Sequence, residues 1–435
     1  MSDSNPLRQF GGLGVGANAG VGTDAGAATT RRQCLRLSLG AGAWLAGAGS
    51  AGAGGAHGTL GPLGPLGTAS AMDALAARLP QLVWRERRLQ ALGTHLRLQA
   101  AHASGARLDA ALDAAVAAIQ RVERQMSLFD PNSAASRLNR DGVLLRPEAE
   151  LLQMLRLAQL VSAKSDGAFD VTVQPYWAAW STAQVAGRVA TAAELAKARA
   201  RVGWKNLAVS ADKISFQQAG MGITLNGIAQ GFAGDLAQAA LRSHGIEHAL
   251  LDTGEWSSWG DSPDGSPWRI GVADPRSADL RQADSRLADL RQASSPSANA
   301  GQIGPRPAGA RPARSGMADL PEGLSGSRWH SVEPFIATLQ PAGRAIATSS
   351  DANYRFGAGD QHHHIFNPHT GYSPRQLASV TVMAPTCVLA DALTKVMFMG
   401  GLDDALRLAR RWQVEVLAVD KHGRWRASAG MGKLS

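Results

Sequence analysis

The sequence predicts an α+β fold of two intertwined lobes, on three observations. Apolar residues recur at helical spacing in some segments and alternate over short runs in others. The two kinds of segment are interleaved without the regular strand–helix repeat of a doubly wound parallel sheet. Finally, 49 Gly and 20 Pro among 435 residues are too many for one uniform core, so part of the length is expected outside the folded unit.

Residues 1–71 are expected to be such a part. Arg31-Arg32 precedes a short, weakly apolar stretch at 37–46 and then a Gly/Ala run. That order resembles a twin-arginine export signal, which implies a periplasmic protein with no stable membrane insertion once the signal is removed. The apolar stretch is too short to span a bilayer.

Globular patterning begins at Met72 and continues to residue 435. A strand is expected at 89–101. Leu108, Ala111, Leu112, Ala115, Ile119, Val122 and Met126 then mark one face of a helix. A second amphipathic helix is expected at 148–162, stopped by Asp166-Gly167, with a strand-like run at 169–173. Thr191 and Glu194 form a capping box that opens a third helix. Short strands are expected at 207–209, 214–216 and 222–225, a helix at 229–243, and strands at 248–252 and 268–272.

Patterning stops at about 274–327. Residues 278–283 there recur as 288–293, and large apolar side chains are few. A disordered, low-complexity insertion in a surface loop is expected. Signals resume at Val332: strands at 345–348 and 380–384, helices at 388–399 and 403–411, and a hairpin at 414–427.

A net charge of +9 raises the question of nucleic acid. Only seven of the 44 basic residues are Lys, and the Arg residues are scattered, often beside Asp, so a solvated Arg-rich surface is favoured and no nucleic-acid partner is expected. Cys34 lies in the segment expected to be removed. Cys387 is then alone, which excludes an internal disulfide, a redox pair and a thiolate metal site.

Chemistry-bearing residues gather in four segments. Met126 to Asn139 is the first, and Gly167-Ala168-Phe169-Asp170 leading on to Trp180 the second. The third joins Asn226-Gly227-Ile228-Ala229-Gln230-Gly231 to Asp252-Thr253-Gly254-Glu255. The fourth comprises Thr348-Ser349, His364-Ile365-Phe366-Asn367-Pro368 and Asp391-Ala392-Leu393-Thr394-Lys395. Gly227 and Gly231 bracket a helix start, where free N–H groups and small residues suit either a pyrophosphate cradle or a plain tight turn. Asp391 and Thr394, three apart on a helix, offer oxygens from one face. With a backbone carbonyl they make a hard-oxygen set suited to Mg2+, or Asp391 is simply a helix-end charge. A neutral imidazole at His364 suits proton abstraction from a hydroxyl. The run His362-His363-His364 does not suit a transition metal, because successive strand residues face opposite ways.

In this order and spacing, from about residue 92 to 401, the segments resemble the flavin transferase family, the ApbE-type FAD:protein FMN transferases once called thiamine-biosynthesis lipoproteins. The resemblance implies a cleft between the lobes that takes FAD as substrate. With Mg2+, FMN would pass from FAD to a Thr or Ser hydroxyl of an acceptor redox protein, and AMP would be released. It further implies flavin contacts at Met126, Ala168, Phe169, Asp170, Asn226, Gly227, Gln230, Glu255, Thr348, Ser349 and Ile365. Metal ligation is implied at Asp391, Thr394 and the carbonyl of Ala229, and His364 and Asp391 become the catalytic pair. Phe129 and Trp180 suit either flavin stacking or the core.

The chain departs from the family pattern at several points. Lys395 stands where a metal-binding Thr is usual, so the ammonium either occupies the cation's place or swings aside while Thr394 serves as ligand. Asn367 replaces an Asp, and Asn226 and Gln230 replace a commoner Gly and Lys. Two alternatives therefore stay open: FAD binding without transfer, and FAD pyrophosphatase activity.

Overall fold

The structure is a computed structural model that describes residues 81–276, 335–357, 359 and 361–432. The expected export signal, and the expected insertion from residue 277 onward, lie outside the described residues.

The chain opens on β1 (Val83–Ala91) and β2 (Thr94–His102). A single strand was expected at 89–101; a hairpin is found instead. Leu92 and Gly93 both take left-handed φ values, 53° and 77°, the backbone of a tight two-residue hairpin turn. Leu at the first turn position is what hides the break in the sequence. Helix α1 (Gly105–Met126) starts at Ser104, whose hydroxyl accepts from the Arg107 N–H, and buries the predicted apolar face.

Helix α2 (Ala134–Asp141), strand β3 (Val143–Leu145) and helix α3 (Ala149–Lys164) follow. The strand expected at 169–173 is instead a turn running into α4 (Gln174–Val185). The Asp170 carboxylate accepts from both the N–H and the hydroxyl of Thr172, at 2.7 and 2.6 Å. That local bond bends the backbone out of a strand, and Pro175 suits the first helical turn. The capping box of Thr191 and Glu194 opens α5 (Ala192–Arg199) as expected.

Strands β4 (Leu207–Val209) and β5 (Lys213–Phe216) join β3 in a small sheet of order β3-β5-β4. Residues 222–225 join no ladder. Their backbone is held instead by Asn139, which both donates to and accepts from Ile223, and by Thr224 donating to the Val171 carbonyl.

The remaining described chain runs through α6 (Ala229–Ser243), β6 (His248–Asp252), β7 (Trp256–Trp259), β8 (Ile270–Ala273), β9 (Phe335–Leu339), β10 (Ala345–Ser350), β11 (Leu377–Ala384), α7 (Cys387–Phe398), α8 (Leu402–Trp412), β12 (Glu415–Asp420) and β13 (Trp425–Ala427). An eight-stranded, wholly antiparallel sheet of order β1-β2-β6-β7-β10-β11-β12-β13 forms the frame. The architecture is α+β, as expected.

The two-residue period of the strands feeds two cores at once. Ala249 and Leu251, Ala347, Val382 and Ala384, Val416 and Ala418 join the large helical core. Their neighbours Leu250, Ile346, Met383 and Leu417 point the other way and pack with the β8–β9 hairpin. A third, separate cluster builds the α4–α5 lobe around Tyr176, Trp180, Phe356 and Phe366. No helix among the described residues is long and apolar enough to cross a membrane.

Candidate active site

A cavity of about 370 Å3 opens where the α4 lobe, the loop into α6 and the end of α7 meet. One wall is the turn that follows α3, presenting Ala168, Phe169 and Asp170. The loop into α6 contributes Asn226, Gly227 and Gln230, and the β6–β7 turn contributes Glu255. Thr348 and Ser349 come from β10, His364 and Ile365 from the loop after it, and Lys395 from α7.

Each wall residue is set by a local device. Besides accepting from Thr172, the Asp170 carboxylate accepts from the Trp204 N–H at 2.9 Å, so it organises the turn from within. Burial pushes its pKa up against those bonds. Gly254 takes φ +90°, and a Cβ there would lie 2.7 Å from the Gln230 amide. Only glycine lets the β6–β7 turn press on Gln230 and bring Glu255 inward. Glu255 is buried, and its carboxyl accepts from the Thr348 N–H at 3.2 Å. Burial, followed by the nearby Asp391 charge, pushes its pKa well above the usual carboxylate range.

The α6–α7 crossing fixes the cationic corner. A Cβ on Gly231 would fall 2.5 Å from the Cys387 carbonyl oxygen, so this glycine serves helix–helix contact and not a phosphate cradle. Its N–H donates to Asp391 Oδ2 at 3.2 Å. Asp235, one turn further along α6, accepts from the N–H groups of Cys387 and Val388 at 2.8 and 2.9 Å, which caps α7. Burial pushes the Asp235 pKa up to about 7. Cys387 is a buried free thiol, itself pushed up by burial and the adjacent carboxylates.

Lys395 pairs with Asp391 Oδ1, and its ammonium also donates to the Asp391 carbonyl at 3.2 Å. The Thr394 hydroxyl donates to the same carbonyl at 2.6 Å and bonds Ser349 Oγ at 2.7 Å. Ala229 is buried in the first turn of α6, away from the cavity wall. Two of the three expected Mg2+ ligands, the Asp391 carboxylate and the Thr394 hydroxyl, are therefore already engaged within the protein, with an ammonium on the carboxylate. No group of three or more His, Cys, Asp or Glu suited to a metal occurs among the described residues. The side chains present do not fit Mg2+.

His364 faces the cavity with Nδ1 3.4 Å from the Tyr354 carbonyl. Burial and the neighbouring His363 push its pKa down to about 4, so the ring is neutral at pH 7 and a weaker base than the ordinary value of 6.5 implies. His363 is buried and bonds the Pro374 carbonyl through Nε2 at 2.9 Å, while His362 packs on Trp180. The three rings do not converge.

A profile of the ApbE family matches residues 92–303 and 303–418. The chain belongs to the ApbE family. It is 27% identical over 310 residues to the FAD:protein FMN transferase of Vibrio cholerae, covering 70% of this chain and 77% of that one. It is 24% identical over 315 residues to the Haemophilus influenzae protein of the same name, covering 70% and 76%. The fold matches the ApbE protein of Thermotoga maritima with a TM-score of 0.61 at 22% identity, over 80% of this chain and 98% of that one. It matches the flavin transferase ApbE of Vibrio cholerae at 0.59 and 23% identity, over 82% and 100%.

Placed in this ApbE fold, the residues expected at the flavin divide. Ala168, Phe169, Asp170, Asn226, Gly227, Gln230, Glu255, Thr348, Ser349 and Ile365 line the cavity. Met126 does not; it is buried in the helical core at the end of α1, and Leu128 and Phe129 reach the cavity instead. Of the two stacking candidates, Phe129 is 77% exposed at the cavity. Trp180 is core, with its indole N–H donating to the Gly371 carbonyl. Gln174, Trp177 and Phe366 also line the cavity, and the sequence reading missed them as site residues. Recognising Pro175 as a helix-start residue would have turned Gln174 and Trp177 toward this wall.

Proposed function

We propose that this ApbE-family chain is a FAD:protein FMN transferase. The relatives it matches over some three quarters of their length carry that name. The observation that carries the chemistry is the pairing, in one cavity, of an ammonium on Lys395 with a neutral imidazole on His364. The two are close enough that the Lys395 charge contributes to lowering the His364 pKa.

FAD supplies a pyrophosphate, a diphosphate anion between two large groups. The apolar wall of Leu128, Phe169, Trp177 and Phe366 suits the flavin ring, and the hydroxyl and amide wall of Thr348, Ser349 and Gln230 suits its polar edge. In the transfer, a Thr or Ser hydroxyl oxygen of the acceptor protein forms a bond to the phosphorus of the FMN half. The bond from that phosphorus to the bridging oxygen breaks, and AMP leaves with the electron pair. The hydroxyl proton goes to His364. Mg2+ is implied by the resemblance, but the Asp391 carboxylate already carries the Lys395 ammonium, and the residues do not fit the metal. Export to the periplasm, on the strength of Arg31-Arg32, belongs to the same reading.

The test is to mix the purified protein with FAD and a flavin-acceptor domain, then look for covalent flavin fluorescence on a denaturing gel. A labelled acceptor and stoichiometric AMP are expected. An unlabelled acceptor beside a positive control contradicts the proposal: FMN and AMP without acceptor mark a pyrophosphatase, and intact bound FAD a carrier.

A further inference from the structure

We propose that Lys395 is a built-in cation that replaces a divalent metal, so that this site binds FAD, and transfers FMN from it, without Mg2+. The inference rests on the flavin reading of the cavity and specifies how the phosphates are held.

Four observations meet at this side chain. First, the ammonium is anchored: it pairs with Asp391 Oδ1 and donates to the Asp391 carbonyl at 3.2 Å. An ammonium has three donors, so one is left for a ligand oxygen. Second, Asp391 is held in turn, fully buried and accepting the Gly231 N–H on Oδ2. Asp391 is thus a positioning residue. Third, the lysine stem is packed. A Cβ on Gly227 would lie 3.2 Å from Lys395 Cε, so glycine there lets the loop into α6 lie along the stem. The side chain keeps 20% of its surface, on the cavity side. Fourth, the alternative ligand is diverted, because the Thr394 hydroxyl is shared between the Asp391 carbonyl and Ser349.

The local charge agrees. Burial pushes the Glu255 pKa up, and the Lys395 ammonium is paired with the Asp391 carboxylate. A dication entering this corner would meet an ammonium already on its carboxylate. A pyrophosphate meets a fixed N–H donor with a formal positive charge. In the transfer step the same ammonium stabilises charge on the departing AMP phosphate by hydrogen bonding, and gives up no proton.

The experiment is FAD titration of the full-length protein by flavin fluorescence quenching, in EDTA and in millimolar Mg2+, for the wild type, Lys395→Thr and Lys395→Arg. The wild type is expected to bind FAD with a Kd that Mg2+ changes by less than about twofold. Lys395→Thr is expected to lose about tenfold or more in EDTA and to recover with Mg2+, whereas Lys395→Arg stays metal-independent. A wild-type affinity that rises about tenfold or more with Mg2+ overturns the proposal, as does Lys395→Thr binding like wild type in EDTA. Should the Thr variant not fold, the wild-type and Arg arms still decide. Wild-type protein that binds no FAD in either condition overturns the flavin reading itself, a different failure from FAD binding that requires Mg2+.

Discussion

His364 shows at the scale of one residue how burial changes a role read from sequence. A histidine beside an acceptor hydroxyl suggests a base of ordinary strength, but here burial pushes the ring down to about 4. The acid limb of kcat/KM, which reports the free enzyme, is therefore expected below the ordinary 6.5, with activity retained at pH 5. A limb at or above 6.5 contradicts this. His364→Asn is expected to slow transfer by about 10²–10⁴-fold while FAD still binds, checked by separate binding and transfer assays. Glu255 makes the complementary case. Burial pushes its carboxyl toward the neutral form, so Glu255→Gln should leave FAD affinity within about threefold, since the amide keeps the shape and an acceptor oxygen for the Thr348 N–H. A large loss on titration would show that the negative charge is used.

Most of the cavity's residues were legible in the sequence because they sit at turns and helix starts, where Gly, Asp, Asn and Thr have few purely structural reasons to cluster. Met126 was misplaced for a physical reason: at the end of α1 its side chain follows the apolar stripe into the core, and only the next residues turn out to the cavity. What the sequence left open at Lys395 was geometric. Whether the ammonium sits on Asp391 or swings aside depends on the packing of Gly227 against its stem, a contact between residues 168 positions apart.

At the scale of elements, the α6–α7 crossing decides the site. Gly231 admits the backbone of α7, and Asp235 ties down its first turn. Gly231→Ala forces the helices apart and is expected to cost about 1–3 kcal/mol in chemical unfolding, with FAD binding weakened because Asp391 moves. Asp235 adds a pH signature. Its folded pKa of about 7 lies above the ordinary 3.8, so the stability it contributes is full below 3.8 and is lost as pH rises toward 7. His364 has the opposite sign: its folded value of about 4 lies below 6.5, so stability is lost as pH falls from 6.5 toward 4. Between pH 4 and 6.5 the two slopes oppose each other. In Asp235→Asn only the histidine slope of this pair remains, so the variant should gain stability relative to wild type as pH rises from 4 to 7. A constant difference in urea midpoints would contradict it. Long helices were legible because their periodicity spans several turns. The turn after α3 was read as a strand because Phe169, Val171 and Val173 alternate, and the Asp170–Thr172 bonds that override the alternation cannot be seen in a hydropathy pattern.

At the scale of the whole molecule, the antiparallel sheet carries two cores, and the cavity belongs to the helical side of it. Ala273 of β8 and Phe335 of β9 are paired, which brings together the described chain on either side of residues 277–334. Chain ends held that close need only a short connection. Replacing residues 277–334 by a short Gly/Ser linker is therefore expected to leave the melting temperature and FAD binding unchanged, and a large drop in either would show that the segment is part of the fold. Flavin transfer is read most directly from the intact mass of an acceptor domain after incubation with this protein and FAD. The acceptor is expected to gain the mass of one FMN residue at a Thr or Ser, with one AMP appearing for each, and His364→Asn is expected to suppress both. An acceptor of unchanged mass with FAD intact, beside an authentic transferase that labels it, would contradict flavin transfer.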